Sequence, residues 1–412
     1  MDGIAQADRD DVERRVGNLA ERFGSAGWRF FVVGGVVRDL FLGRRSGDID
    51  VTTDATPPEI SSILGEWADT VWDQGARFGT VGARKGAVMV EITTHRSENY
   101  QADSRKPRVE FSSTIHDDLA RRDFTINAMA IELPNWQLVD PFNGRTDLAK
   151  RVLQTPLTPE IAFFDDPLRM LRAARFLSGY QLMPPKELEN AMRTMGERLD
   201  IVSKERISEE FSKFLLVESP STGIELLQRT GLMQRLFPAI STHENLQSQA
   251  IDFVGRDLES RWASLLWSVL QDGAVARRVL TDLRASNTTA SRVAGIINAA
   301  RVLTEAKNAD QATARQILHQ TRRDLLPAIE LLNAYDQRPL PAVLSAIDRV
   351  RELEGDEEFQ VPLNGHEVAA LIGGEGPLVG RMLDRLMKHR LRTGPLSKEQ
   401  AIALVQDWKK SS

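Results

Sequence analysis

The chain changes texture once, and that change limits the folds open to it. Up to about residue 150, short β-branched runs at 30–33, 49–52, 81–83, 88–93 and 128–131 are bounded by Gly, Pro, Asp or Asn and read as strands. A helical pattern at 36–42 lies between the first two. From about residue 160 the stretches 166–179, 185–199, 206–216, 261–272, 312–319 and 378–392 repeat their apolar residues with a 3.6-residue period. No strand pattern follows residue 155. The expectation is an α+β chain: an N-terminal head on one small mixed β-sheet, then an all-helical remainder. Pro-containing breaks near 157–159, 218–220 and 337–341 divide it into 1–150, 151–218, 219–338 and 339–412.

Composition removes several chemistries. The 412 residues include no cysteine, which excludes disulfides, thiolate nucleophiles, zinc fingers and iron–sulfur clusters. Six histidines are scattered without ligand spacing, so a histidine metal site is not expected. No run of about 18 apolar residues and no basic-then-apolar leader is present, and the expected location is the cytoplasm. The net charge of −5 argues mildly against a nucleic-acid partner.

Four motifs carry chemistry. In Val32-Val33-Gly34-Gly35-Val36-Val37-Arg38-Asp39 a strand runs through two glycines into a helix. Glycines let backbone approach a phosphate, and Arg38 lies one turn on, within reach of the same anion. Alone, such a Gly-Gly is more often a tight turn. In Asp48-Ile49-Asp50, acids at i and i+2 of a strand share a face, with Ile49 and Val51 toward the core. Paired carboxylates repel unless a cation lies between them, and oxygen-only ligands favour Mg²⁺. A lone DxD is usually a solvated strand end. Here it follows a Gly-Gly-x-x-Arg turn by one helix, the pairing of phosphate clamp and metal site that nucleotidyl transfer needs. Glu91, a strand acid in the same half, is a third ligand, a base or an ordinary charge.

Downstream, Arg121-Arg122-Asp123-Phe124-Thr125-Ile126-Asn127 sets two arginines and an acid before a buried run. Arg122 suits a ribose or phosphate, with Asp123 fixing its fork or holding a ribose hydroxyl. An ion pair at a helix end is the plainer reading. In Asp165-Asp166-Pro167-Leu168-Arg169, Asp166 suits a helix N-cap and Pro167 its first turn. Asp166, Arg169, Arg172 and Arg175 then recur every third residue along one side. Three arginines on one side repel unless they face an anion, such as a triphosphate or an RNA end, or unless water solvates them. Asp166 and Arg169 also form an acceptor–donor pair able to read a base edge.

Together with Lys204-Glu205-Arg206-Ile207, these motifs resemble, in order, those of class II tRNA nucleotidyltransferases, the CCA-adding enzymes and bacterial poly(A) polymerases. The resemblance implies a nucleotidyltransferase head at 1–150, a neck at 151–218 that recognises the base, a body at 219–338 and a tRNA-binding tail at 339–412. It implies Mg²⁺ on Asp48 and Asp50, triphosphate on Gly35 and Arg38, and nucleotide contact by Arg122. Asp166 and Arg169 become a protein template for CTP or ATP, supported by Arg172 and Arg175, while Arg206 braces the neck. Residues 99–107, with Asp103 and Arg105, resemble the family's flexible loop. Phe78-Gly79-Thr80-Val81 resembles the CCA type rather than the poly(A) type, so full CCA addition to tRNA is expected before CC-only, A-only or poly(A) synthesis. A non-catalytic RNA-binding protein on the same fold is the outside alternative, against which the paired acids stand. No obligatory protein partner is expected.

Two departures stand out. Asp165 replaces the family's usual Glu. The spaced histidines of a phosphohydrolase domain are missing, residues 260–268 resembling that helix without its ligands, and no phosphohydrolase activity is expected. Arg381, Arg385, Lys388 and Arg392, spaced four, three and four apart, mark a tail helix face that is either an RNA contact or solvated.

Overall fold

The computed structural model describes every residue except 1–2, 46, 48, 102–103, 112–113, 239–246, 356–357 and 411–412, and the backbone alone at 77, 97–101 and 104–111. The chain forms two compact units, Met1–Ser241 and Thr242–Ser412.

The first unit begins with strands β1 (Phe30–Val33), β2 (Ile49–Thr53), β3 (Thr70–Trp72), β4 (Thr80–Lys85), β5 (Val88–Thr94), β6 (Arg96–Gln101), β7 (Ser104–Phe111), β8 (Ala130–Leu133) and β9 (Gln137–Val139). Seven of them form a mixed sheet in the order β3-β4-β5-β2-β1-β8-β9. Only β2 and β5 run parallel; every other pair is antiparallel.

Alternation along the strands gives the sheet two unlike faces. Val32, Ile49, Val51, Val81, Val90, Ile92 and Ile131 point into one core, closed by Val12, Leu19 and Phe23 from the N-terminal helices and by Ile60 and Leu64 from the helix Pro57–Trp67. On the other face Phe31, Val33 and Ala130 are covered by Ile115 and Leu119 of the helix Ile115–Ala120. The β2 and β5 portion of that face carries polar side chains.

The sequence reading differs from the fold at definable places. One sheet was expected, but β6 and β7 pair as a second, two-stranded sheet over much of the segment read as a loop. Their sequence, Arg-Ser-Glu-Asn-Tyr-Gln and Ser-Arg-Lys-Pro-Arg-Val-Glu-Phe, lacks apolar alternation, so the backbone pairing leaves no period-2 signal. The edge strands β3 and β9 have three residues each, too few for alternation to show. Residues 128–129 precede β8 because Thr125–Asn127 form a 3₁₀ turn. The expected 261–272 helix ends at Trp267, because Asp272 accepts from the Ala274 and Val275 N–H groups and starts the next helix.

Beyond β9 the first unit is helical. Thr158-Pro159 opens the helix Pro159–Asp165, with Pro in its first turn. The helix Arg169–Tyr180 follows and packs against the helices Lys204–Leu215 and Ser221–Arg229. Asp166 is not its N-cap as expected. Pro167 and Leu168 make a turn first, and Asp166 Oδ1 accepts from the Leu168 N–H at 3.2 Å.

The described part of the second unit has no strand. The helix Leu258–Trp267 is buried from Ser260 onward, and Tyr335 donates its hydroxyl to the Ser264 carbonyl. In the helix Pro377–Thr393, Met382, Leu386 and Leu391 are buried; Leu386 and Met382 join Val368, Ala401 and Val405 in a small separate core. No described helix is long and apolar enough to cross a membrane.

Candidate active site

The polar face of the sheet collects the acids. Asp50 on β2 and Glu91 on β5 are register partners, both exposed, each flanked by buried residues that point the other way. Parallel partners share a face, so two carboxylates from sequence positions 41 apart lie side by side. Asp48 lies outside the described residues. Next across the sheet is Gly82, the partner of Glu91 on β4. A Cβ at Gly82 would lie 2.1 Å from the Trp72 indole, so only glycine lets Trp72 lie across the strand toward these acids. Sequence reading missed this pair. An all-oxygen donor set on an exposed face fits a hard divalent ion.

The Gly34-Gly35 turn forms the second element. Gly34 has φ +76° and ψ −129°, a conformation only glycine adopts freely, and a Cβ there would lie 2.6 Å from Arg122 Nη1. Gly35 opens the helix Gly35–Phe41, and a Cβ on it would stand 3.5 Å from Arg38 Nη2. Two guanidinium groups therefore flank the turn. Arg38 is buried; its Nε donates to Asp39 Oδ1 at 2.9 Å and its Nη1 to Asn127 Oδ1 at 2.6 Å.

The expected Arg122–Asp123 fork is replaced by another pairing. Arg122 donates to Asp118 at 3.2 Å, and Arg121 also binds Asp118. Residues three and four apart at the end of one helix share a face, whereas adjacent residues diverge. Asp123 instead accepts from Arg172 Nε at 2.9 Å and from Asn127 at 2.9 Å. Burial pushes both acids toward neutrality, but the arginine charges outweigh it. Asp118 is held below the usual carboxylate range, and Asp123, beside Arg172 with the Asn127 hydrogen bond, sits at about 2.

The arginine stripe is answered from within the protein. Arg172 faces Asp123 and, at 3.8 Å, Glu210; Arg175 donates to Glu210 Oε1. Arg169 is buried and donates to the backbone carbonyls of Arg121 and Ala162. Thus Arg172 and Arg175 do not depend on an external anion for neutralisation, Arg169 is held by backbone carbonyls, and Arg169 and Arg172 tie this helix to the Arg121–Asn127 motif. Glu210 was missed. Its signal was an acid inside the buried stripe Ile207, Phe211 and Phe214. Asp166 Oδ2 accepts from Arg206 Nη2 at 3.4 Å, joining the last two motifs.

Other expected residues are brought to no common centre. Asp103 lies outside the described residues, and Arg105 belongs to the backbone of β7. In the second unit Arg381, Arg385, Lys388 and Arg392 are all exposed on the helix Pro377–Thr393. Arg385 lies 4.3 Å over the Trp408 ring, and Arg385, Lys388 and Arg392 border a groove of about 860 Å³. Within the same unit Glu354 is buried between Arg315 and Arg390, a triad the sequence did not reveal. Among the described residues, no three His, Asp or Glu side chains group as a metal site.

Comparison with known proteins decides the family. Residues 30–154 match the family described as "Poly A polymerase head domain", and residues 184–243 match "Probable RNA and SrmB- binding site of polymerase A". The CCA-adding enzyme of Streptococcus thermophilus is 30% identical over 403 residues, covering 95% of this chain and 96% of that one. The chain belongs to the CCA-adding enzyme family. It is a nucleotidyltransferase, and such enzymes generally use divalent metal ions. The CCA-adding enzyme of Bacillus velezensis is 38% identical over 245 residues, an alignment spanning 60% of that protein. The structure of the Bacillus stearothermophilus CCA-adding enzyme in complex with CTP superposes with a TM-score of 0.80 at 26% identity, covering 97% of this chain and 98% of that one. The α+β architecture read from the sequence is the family's fold.

Proposed function

We propose that this nucleotidyltransferase builds or repairs the 3′-terminal CCA of tRNA from CTP and ATP, in the cytoplasm, without a nucleic-acid template. One observation carries the reading: the Asp50–Glu91 pair stands on the open face of the sheet, one helix after a Gly-Gly turn flanked by Arg38 and Arg122. Acids beside a two-arginine cradle suit transfer of a nucleoside phosphate rather than passive RNA binding.

In this reading the Gly34-Gly35 backbone, Arg38 and Arg122 hold the triphosphate. Asp48 and Asp50, with Glu91 beside Asp50, would hold Mg²⁺, which when bound would ease deprotonation of the attacking hydroxyl and offset phosphate charge. The tRNA 3′-hydroxyl attacks the α-phosphorus and pyrophosphate leaves. Asp166 and Arg169 read the base edge. Asp166 accepts from Arg206 and Arg169 donates to the Arg121 carbonyl, and both keep further acceptor and donor sites for a base. Arg172 and Arg175 position that helix through Asp123 and Glu210. Residues 1–150, 151–218, 219–338 and 339–412 act as head, neck, body and tail. The tail face from Arg381 to Arg392 contacts tRNA, with binding that weakens as salt rises.

The test is incubation with tRNA lacking its 3′ CCA, first with CTP and then with CTP plus ATP. Addition of CC and then CCA supports the reading. Product stopping at CC in both reactions, or a long A-tail, refutes full CCA addition. Asp48→Ala should abolish incorporation with tRNA binding nearly unchanged, and Arg169→Ala should blur the choice between CTP and ATP.

A further inference from the structure

Arg38 lies in the first unit between two kinds of support. Asp39 and Asn127 take N–H donors from its guanidinium. The face of that group is covered by an aromatic ladder on the helix Arg169–Tyr180. Its Cζ lies 4.2 Å from the ring centre of Tyr180 and 5.6 Å from that of Phe176. Phe176 and Tyr180 are stacked, with centroids 5.7 Å apart and planes 18° apart. Phe124, from the Arg121–Asn127 motif, meets Phe176 edge-on at 5.4 Å. Arg44, just upstream of the Asp48-x-Asp50 motif, places its Cζ 5.4 Å from the same Tyr180 ring.

The chemistry of the contact differs from that of an ion pair. An aromatic face attracts the cation through its quadrupole and consumes no N–H donor. Arg38 already pairs with the Asp39 carboxylate through Nε and Nη2, and a second carboxylate in place of the ring would occupy further donors and overcompensate the charge a phosphate needs. Tyr180 thus fixes the plane of Arg38 and leaves its remaining N–H groups facing the Gly34-Gly35 turn. No hydrogen bond is needed from the phenol for this; the ring does the holding.

We propose that Tyr180, backed by Phe176, is a positioning residue for Arg38 and through it sets triphosphate affinity equally for CTP and ATP. This inference rests on the reading of Arg38 and the Gly-Gly turn as the triphosphate site. Residue 180 lies beyond the Asp166–Arg169 pair that is assigned base choice, so the effect should not depend on the base.

Steady-state kinetics with tRNA ending before CC plus CTP, and with tRNA ending at CC plus ATP, test it. Tyr180→Leu removes the ring and should raise KM for both nucleotides by about three- to thirty-fold, the range of a partly desolvated cation–π contact, with kcat changed less. Tyr180→Phe should restore KM to within about twofold, because the ring and not the hydroxyl is used. In an Arg38→Lys background, Tyr180→Leu should add little further loss. A merely structural role predicts lower stability with no KM-against-kcat split and no such coupling. Tyr180→Met gives the same comparison if the Leu variant melts below the assay temperature. An unchanged KM in Tyr180→Leu, a loss confined to one nucleotide, or failure of Tyr180→Phe to restore KM overturns the inference alone. A wild-type protein that incorporates neither nucleotide overturns the proposed function and this inference together.

Discussion

Asp123→Asn is the sharpest test of how the first unit joins its motifs. Asp123 is buried and receives Arg172 and Asn127. Its carboxyl lies at about 2 against an ordinary 3.8. At about 1.4 kcal/mol per pKa unit, that gap stabilises the folded state by roughly 2–3 kcal/mol at neutral pH. The substitution also leaves Arg172 with the more distant Glu210 carboxylate, 3.8 Å away, as its remaining ion pair among the described residues. We therefore expect a loss of about 2–4 kcal/mol at pH 7, in the range for removing one partner of a buried pair. The pH dependence follows from the depressed pKa. The contribution is complete above the unfolded value and is lost as pH falls through the folded one, so about half should remain at pH 3. Hydrogen exchange in increasing urea, read on peptides from 169–180 and corrected for intrinsic rates at pH 7, 5 and 3, measures it. The gap between wild type and variant should hold from pH 7 to 5 and narrow at pH 3. A gap independent of pH, or one under about 1 kcal/mol at pH 7, would show that Asp123 is not an ionised anchor for this helix.

Other expectations concern single sites. Gly34→Ala places an L-residue at φ +76° with its Cβ against Arg122, so it should cost about 1–3 kcal/mol of stability and raise the nucleotide KM; an unchanged KM would remove Arg122 from the cradle. Asp50→Asn should lower kcat about a thousand-fold, and Glu91→Gln at least tenfold with a shifted divalent-ion optimum. Wild-type kinetics in Glu91→Gln would make Glu91 an ordinary strand charge. Glu354→Gln removes the carboxylate shared by Arg315 and Arg390 in their buried triad, and should lower the second unit's stability by about 3–5 kcal/mol in calorimetry while leaving CTP binding intact.

Where a local pattern decided a feature, it could be read from the sequence. Ile49 and Val51 turn inward and Asp50 outward because a strand alternates, whatever packs around it. The helices 378–392 and 206–216 were legible within a residue or two because one face had to be apolar. The glycine pair also declared itself, since Gly34 holds a backbone angle that other residues resist. The polar hairpin β6–β7 did not, because its pairing is made by backbone groups common to every residue.

Partnership was left to the tertiary structure. The sequence supplied Asp118, Arg122, Asp123, Arg172 and Glu210 as charges but not as pairs. Asp123 and Arg172 are 49 positions apart, and Arg175 and Glu210 are 35 apart. Which cation meets which anion depends on how helices cross, and no period along the chain encodes a crossing. The adjacency of Asp50 and Glu91 was likewise a matter of strand register. The sequence alone thus determined the chemistry available and the family motifs that carry it. The fold decided that Arg172 and Arg175 would meet Asp123 and Glu210, and that Arg38 and Arg122, held by Asp39 and Asp118, would flank the glycine turn, because burial forces each interior charge to find its partner inside the protein.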